Sequence, residues 1–143
     1  MRRSALNLRR AIQAIHAVDT TVLVRLLTAD DEAQTRRAAA LFKKEDIFIP
    51  KTVLLETEWV LRRLYGLKRD TVLNALRKVS GLSNVSIENP LQVTRALQWC
   101  ENGMDFADAL HLASCHAVEK FATFDVQLKK SAPKDAKPQV TLL

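Results

Sequence analysis

The chain has 143 residues, enough for one domain with its own core, and no apolar run approaches the ~20 residues that span a bilayer. Hydrophobic residues make up 48% and charged residues 27%, with only 3 Gly and 4 Pro, which excludes a disordered or fibrous chain. The net charge of +6 lies at the two ends: residues 1–18 hold four Arg and no acid, residues 126–143 hold four Lys and one Asp, and residues 19–125 are close to neutral.

Residues 1–14 read as a basic extension, Arg-rich and acid-free, without the long apolar stretch of a secretory signal. A transit peptide and a start-site artefact are the other readings of that segment. Ile15–Val18 predicts a short strand. Helical patterns follow over about 20–27 and 31–45, the second opened by Asp30 or Asp31 as a cap. Ile47-Phe48-Ile49 before Pro50 predicts a second strand. Residues 52–65 predict a strong helix ended by Gly66. Asp70 or Thr71 opens a helix to about Ser80, and Val85-Ser86-Ile87 predicts a third strand. Pro90 fits the first turn of a helix running to Asn102-Gly103, and a further helix is predicted over 105–119. Phe121–Phe124 predicts a fourth strand and Val140–Leu142 a fifth. Strands alternating with helices of this length predict an α/β domain over 15–143. Its expected form is a parallel sheet of four to five strands with helices on both faces.

Two acids directly follow strands. Asp19 ends the first and Asp125 the fourth, and sites in open parallel sheets form at such carboxyl ends. Each also precedes a helical stretch, so a plain N-cap is the competing reading. Glu56 has Val53, Trp59 and Val60 at i−3, i+3 and i+4, an apolar arc in which a carboxylate needs a partner, either Arg63 or a cation. Asp105 and Asp108 are three apart at the start of a helix. Asp105 suits a cap, whereas Asp108 heads a face continued by Leu112 and Cys115 and so points inward.

Several ionised carboxylates gathered in one small domain call for a counter-charge, and hard oxygen donors select Mg²⁺ or Mn²⁺ over zinc. Cys100 and Cys115 form no zinc pattern with His16, His111 and His116. They read as reduced thiols of a cytoplasmic protein. No Gly-rich phosphate cradle exists, which argues against nucleotide-triphosphate chemistry. Basic ends around a neutral body suit a polyanion, with Arg9, Arg10, Lys129 and Lys130 as candidate phosphate contacts, although solubility alone explains them equally well.

The runs AVDTTVLVRLL (17–27), LLETEWVLRRLYG (54–66), MDFADALHLASC (104–115) and ATFD (122–125) together resemble PIN-domain nucleases. More narrowly, they resemble the VapC-type toxins of bacterial toxin–antitoxin pairs. The resemblance implies that Asp19, Glu56, Asp108 and Asp125 form a catalytic and metal-holding quartet, with Asp105 as an additional metal-site acid. It places Thr20 and Thr123 as hydroxyls supporting those acids. It also implies a Mg²⁺- or Mn²⁺-dependent endoribonuclease that blocks translation, inhibition by a cognate antitoxin, and a homodimer away from any membrane. The sequence departs from the family in having Thr21 where Asn usually follows Asp-Thr. Competing expectations are a PIN nuclease of RNA processing without an antitoxin, and a non-catalytic binding or receiver module of similar α/β build.

Overall fold

A computed structural model of the chain describes residues 15–143. The expected extension 1–14, with Arg9 and Arg10, lies outside the described residues. The elements are β1 (Ile15–Ala17), α1 (Thr20–Thr28), α2 (Glu32–Lys44), β2 (Asp46–Ile49), α3 (Lys51–Arg63), α4 (Arg69–Ser80), β3 (Val85–Ile87), α5 (Pro90–Glu101), α6 (Phe106–Ser114), β4 (Lys120–Thr123), α7 (Val126–Ser131) and β5 (Gln139–Leu142). The alternation of strands and helices is the α/β pattern that the periodicity predicts.

Among the described residues every strand pairing is parallel, but the strands are divided between two sheets rather than gathered in one. The first sheet has the order β1-β2-β3, with Ile15 opposite Asp46 and Ile49 opposite Ile87. The second pairs β4 with β5, Lys120 opposite Gln139 and Thr123 opposite Leu142. The expectation of a single sheet of four to five strands is corrected to three plus two. β1 is only three residues long and exposed at all three, and among the described residues it pairs with β2 alone.

β2 is the central strand of the larger sheet. Ile47 and Ile49 are fully buried on one face, while Asp46 and Phe48 on the other are half-buried. Asn84, just before β3, donates its side-chain amide to the carbonyls of Phe42 (2.6 Å) and Glu45 (2.8 Å), which fixes the turn feeding β2. α4 buries Val72, Leu73, Leu76 and Val79 at helical spacing. α5 packs along α6, and the fully buried Ala96, Ala109 and Ala113 let the two helices approach closely.

Helix ends follow local chemistry. Pro90 opens α5, and Gly66 takes a left-handed φ of 66° just after α3. α4 begins at Arg69, one residue ahead of the expected Asp70, with Lys68 at its cap. α6 ends at Ser114 rather than near residue 119, because His116, Ala117, Val118 and Glu119 are all exposed and bury no face. The short α7 has no apolar period long enough to read from sequence. Among the described residues no helix is long and apolar enough to cross a membrane.

Candidate active site

Three of the candidate acids occupy N-cap positions. Asp19 follows β1 and Val18, and its side chain accepts a hydrogen bond from the Val22 amide at 3.0 Å. Asp125 follows β4 and Phe124, and accepts from the amides of Gln127 (2.9 Å) and Leu128 (3.1 Å). Asp105 caps α6 by accepting from the Asp108 amide at 3.2 Å. Capping employs part of each carboxylate; it satisfies otherwise orphaned N–H groups and holds the side chain in one orientation.

Asp108 differs from these three. It lies within the first turn of α6 and is half-buried, above the fully buried Leu112 and half-buried Cys115. Its carboxyl is pushed above the ordinary value, first by burial, then by the charges of Asp105 and Asp125, with His111 acting in the opposite direction. Asp105, at the junction of α5 and α6, and Asp125, at the junction of β4 and α7, are the carboxylates whose charges bear on Asp108.

Asp19 and Glu56 are not among the groups that shift Asp108. Asp19 is exposed and lines a cleft of about 450 Å³ between α1 and α2, together with Thr21, Arg25, Gln34 and Arg37. Glu56 is exposed on α3, and its expected apolar surroundings are corrected: Trp59 is 51% exposed, and Val53 and Val60 are only half-buried. Arg63 is exposed as well, and among the described residues it forms no ion pair with Glu56. Thr123 supports Asp125 directly, its Oγ1 accepting the Asp125 amide at 3.0 Å. Thr20 is the first residue of α1 and is half-buried. Lys129 and Lys130 are exposed on α7, and the Lys129 ammonium donates to the Val140 carbonyl at 2.6 Å.

The buried acid of α3 is Glu58, only 2% exposed. Both of its oxygens face Arg62, one on Nε in a close contact and one on Nη2 at 3.4 Å. The same Nη2 lies 3.4 Å from Oδ1 of Asp105. Glu58 holds the guanidinium firmly protonated, and Asp105 adds to that effect against the opposing burial. The sequence carries a signal for this pair: Glu58 and Arg62 are at i,i+4, and Leu54 and Leu61 flank Glu58 on the buried stripe of α3.

Among the described residues no three His, Cys, Asp or Glu side chains close round one point as a ready metal cage. The donor chemistry nevertheless fits a hard divalent cation. Asp105, Asp108 and Asp125 are oxygen donors, the ligand type such a cation takes, and Asp108 is raised first by burial and then by the two other carboxylates.

The family model of the PIN domain matches residues 17–132. No curated protein matches the chain. Among solved structures, the chain is similar to Mycobacterium tuberculosis VapC20, a sarcin–ricin loop cleaving toxin. The identity is 23%, the match covers 82% of this chain and 95% of that one, and the TM-score is 0.42.

Proposed function

The chain belongs to the PIN domain family, and from that premise we propose that it is a divalent-metal-dependent endoribonuclease and the toxin of a toxin–antitoxin pair. The observation that supports the nuclease reading is the pairing of two acids at the start of α6, where Asp105 accepts the amide of the half-buried Asp108 at 3.2 Å. The toxin reading rests on the four sequence runs that resemble VapC-type toxins. In this reading the substrate is RNA, the inhibitor is a cognate antitoxin protein, and the active form is a homodimer in the cytoplasm. The 1–14 segment is a basic extension of the nuclease domain that begins at residue 15.

Asp19, Glu56, Asp108 and Asp125 are the proposed catalytic carboxylates and the donors for Mg²⁺ or Mn²⁺, with Asp105 at the edge of the metal site. When bound, the cation neutralises charge at the scissile phosphate and activates the attacking water. The protein's part is positional. Thr123 fixes the loop of Asp125 by accepting a hydrogen bond from the Asp125 amide. The first turn of α6 fixes Asp108, and Leu112 beneath it keeps water from that side. Thr20 starts the helix that Asp19 caps. Arg9, Arg10, Lys129 and Lys130 are the proposed phosphate contacts, which supply affinity but little sequence choice.

The test is cleavage of a mixed RNA pool by the full chain with Mg²⁺, with Mn²⁺ and with excess chelator. Cleavage that requires either ion and disappears in Asp108→Asn supports the reading. Full cleavage in chelator, or an unimpaired Asp108→Asn, refutes it. Co-expression with the product of an adjacent small gene tests the toxin assignment, since a true antitoxin restores growth.

A further inference from the structure

Glu58 and Arg62 are charged, largely withdrawn from water, and no part of the proposed carboxylate quartet. A carboxylate that is 2% exposed is unfavourable without a partner, and Arg62 supplies one through two of its nitrogens. Stability alone does not explain the arrangement, because a pair of apolar side chains of similar volume serves a helix face as well or better. The guanidinium does a second thing. Its Nη2 reaches from α3 across to Oδ1 of Asp105, while Oδ2 of Asp105 accepts the Asp108 amide. A continuous path therefore runs from buried Glu58 through Arg62 and Asp105 to the backbone of Asp108.

We infer that Arg62, locked by Glu58, is a positioning residue that holds Asp105 against the first turn of α6 and thereby sets where the Asp108 carboxylate stands. The inference rests on the proposed nuclease reading for its consequence, but not for its geometry. With one oxygen on Arg62 and the other on the Asp108 amide, the Asp105 carboxylate is held in one orientation at the start of α6. Because Nε and Nη2 both face Glu58, the guanidinium is also kept from swinging into the acids, where it would compete with a cation. The other groups near the path are Cys100, whose thiol burial pushes up to about 11, and Arg69, which acts on that thiol in the opposite direction. The sulfur stays neutral at physiological pH and leaves Glu58, Arg62 and Asp105 as the charges that matter.

The test uses the full chain in three forms: parent, Arg62→Lys, and the double variant Glu58→Gln/Arg62→Met. The double variant removes both charges together, so no uncompensated ion is left buried and the fold survives. Two readouts are taken for each form. One is Mn²⁺ binding without RNA, followed by loss of the free-ion electron paramagnetic resonance signal. The other is kcat and KM for a defined RNA. In the double variant kcat is expected to fall by about tenfold or more, as a small misplacement at a reacting centre produces. Mn²⁺ binding is expected to weaken several-fold and KM for RNA to stay within about twofold; Lys at 62, which restores a single cationic contact, is expected to recover part of both losses. A folded double variant with parental Mn²⁺ affinity overturns the inference. So does a loss confined to KM, which would make Arg62 a contact to the RNA backbone. If the parent cleaves no RNA, the nuclease reading falls on its own, and the Mn²⁺ comparison still decides the role of Arg62.

Discussion

Replacing Asp105 separates its structural work from its charge. Its side chain caps α6 through the 3.2 Å bond from the Asp108 amide and faces Arg62 at 3.4 Å, with 45% of the side chain exposed. Removing an N-cap acceptor costs about 1 kcal/mol, within a range of roughly 0.5–2. A long, half-exposed ion pair that shares its guanidinium with Glu58 adds about 0.5 kcal/mol at most after solvent screening. Asp105→Ala therefore loses about 1.5 kcal/mol, and Asp105→Asn, which keeps an oxygen for the cap, about 0.5. For a domain of this size those losses lower Tm by about 5 °C and 2 °C respectively. The assay is thermal unfolding by circular dichroism in chelator, at neutral pH and low salt. If Asp105→Asn melts as low as Asp105→Ala, the cap is not what Asp105 contributes, and the reasoning from the hydrogen bond fails.

Asp108→Asn is expected to abolish RNA cleavage while leaving Tm in chelator unchanged or higher. A carboxyl raised in the folded state weakens the fold at any pH where the unfolded chain is already ionised, so the variant's advantage shrinks as pH falls through the carboxyl range; a lower Tm at neutral pH would count against it. At the surface, Tyr65 donates to Asp30 at 2.5 Å and holds that carboxyl below its ordinary value, with burial opposing and Thr28 and Arg25 assisting. This contribution is present above the unfolded pKa and lost as pH falls through the folded one, so Tyr65→Phe should move the Asp30 midpoint upward in a carbon-detected NMR titration, and an unmoved midpoint would show the bond does not form in solution. In the core, Phe106→Ala at 1% exposure should cost about 3–5 kcal/mol by urea unfolding, whereas Leu91→Ala at 84% exposure should stay within about 0.5 kcal/mol; similar losses at both sites would contradict the packing.

Local chemistry made much of the fold readable. Pro50 after Ile47-Phe48-Ile49 marked β2, and Pro90 marked the start of α5 to the residue. Asp105 as a cap and Asp108 as an inward-pointing acid followed from three-residue spacing and the face of Leu112. What resisted reading was the buried acid of α3, Glu58. Glu56 and Glu58 are roughly 200° apart around the helix, and both have apolar neighbours at helical spacing. Only the tertiary packing of Leu54 and Leu61 decides that Glu58 is the buried one while Trp59 stays half-exposed beside Glu56. Strand grouping resisted for a similar reason. Pairing partners are set by side chains distant in sequence, and a three-residue strand such as β1 carries too little pattern to declare which of its edges is covered.

The division of the strands bears on how the molecule breathes. Residues 120–142 form a closed β-α-β unit, with β4 pairing β5 and α7 packed on both. Leu128, Ala136 and Val140 are buried in the main core, and the partly buried Phe121 and Ala132 pack against it. Among the described residues no backbone ladder ties its strands to the larger sheet, so its amides should exchange with solvent as a group, at a lower opening free energy than those of β2 or α4. Asp125 travels with that unit and Asp108 with the main body. Any ligand grasped by both carboxylates acts as a clasp across the seam, and slowed deuterium uptake over 120–142 becomes a gauge of its binding that needs no turnover.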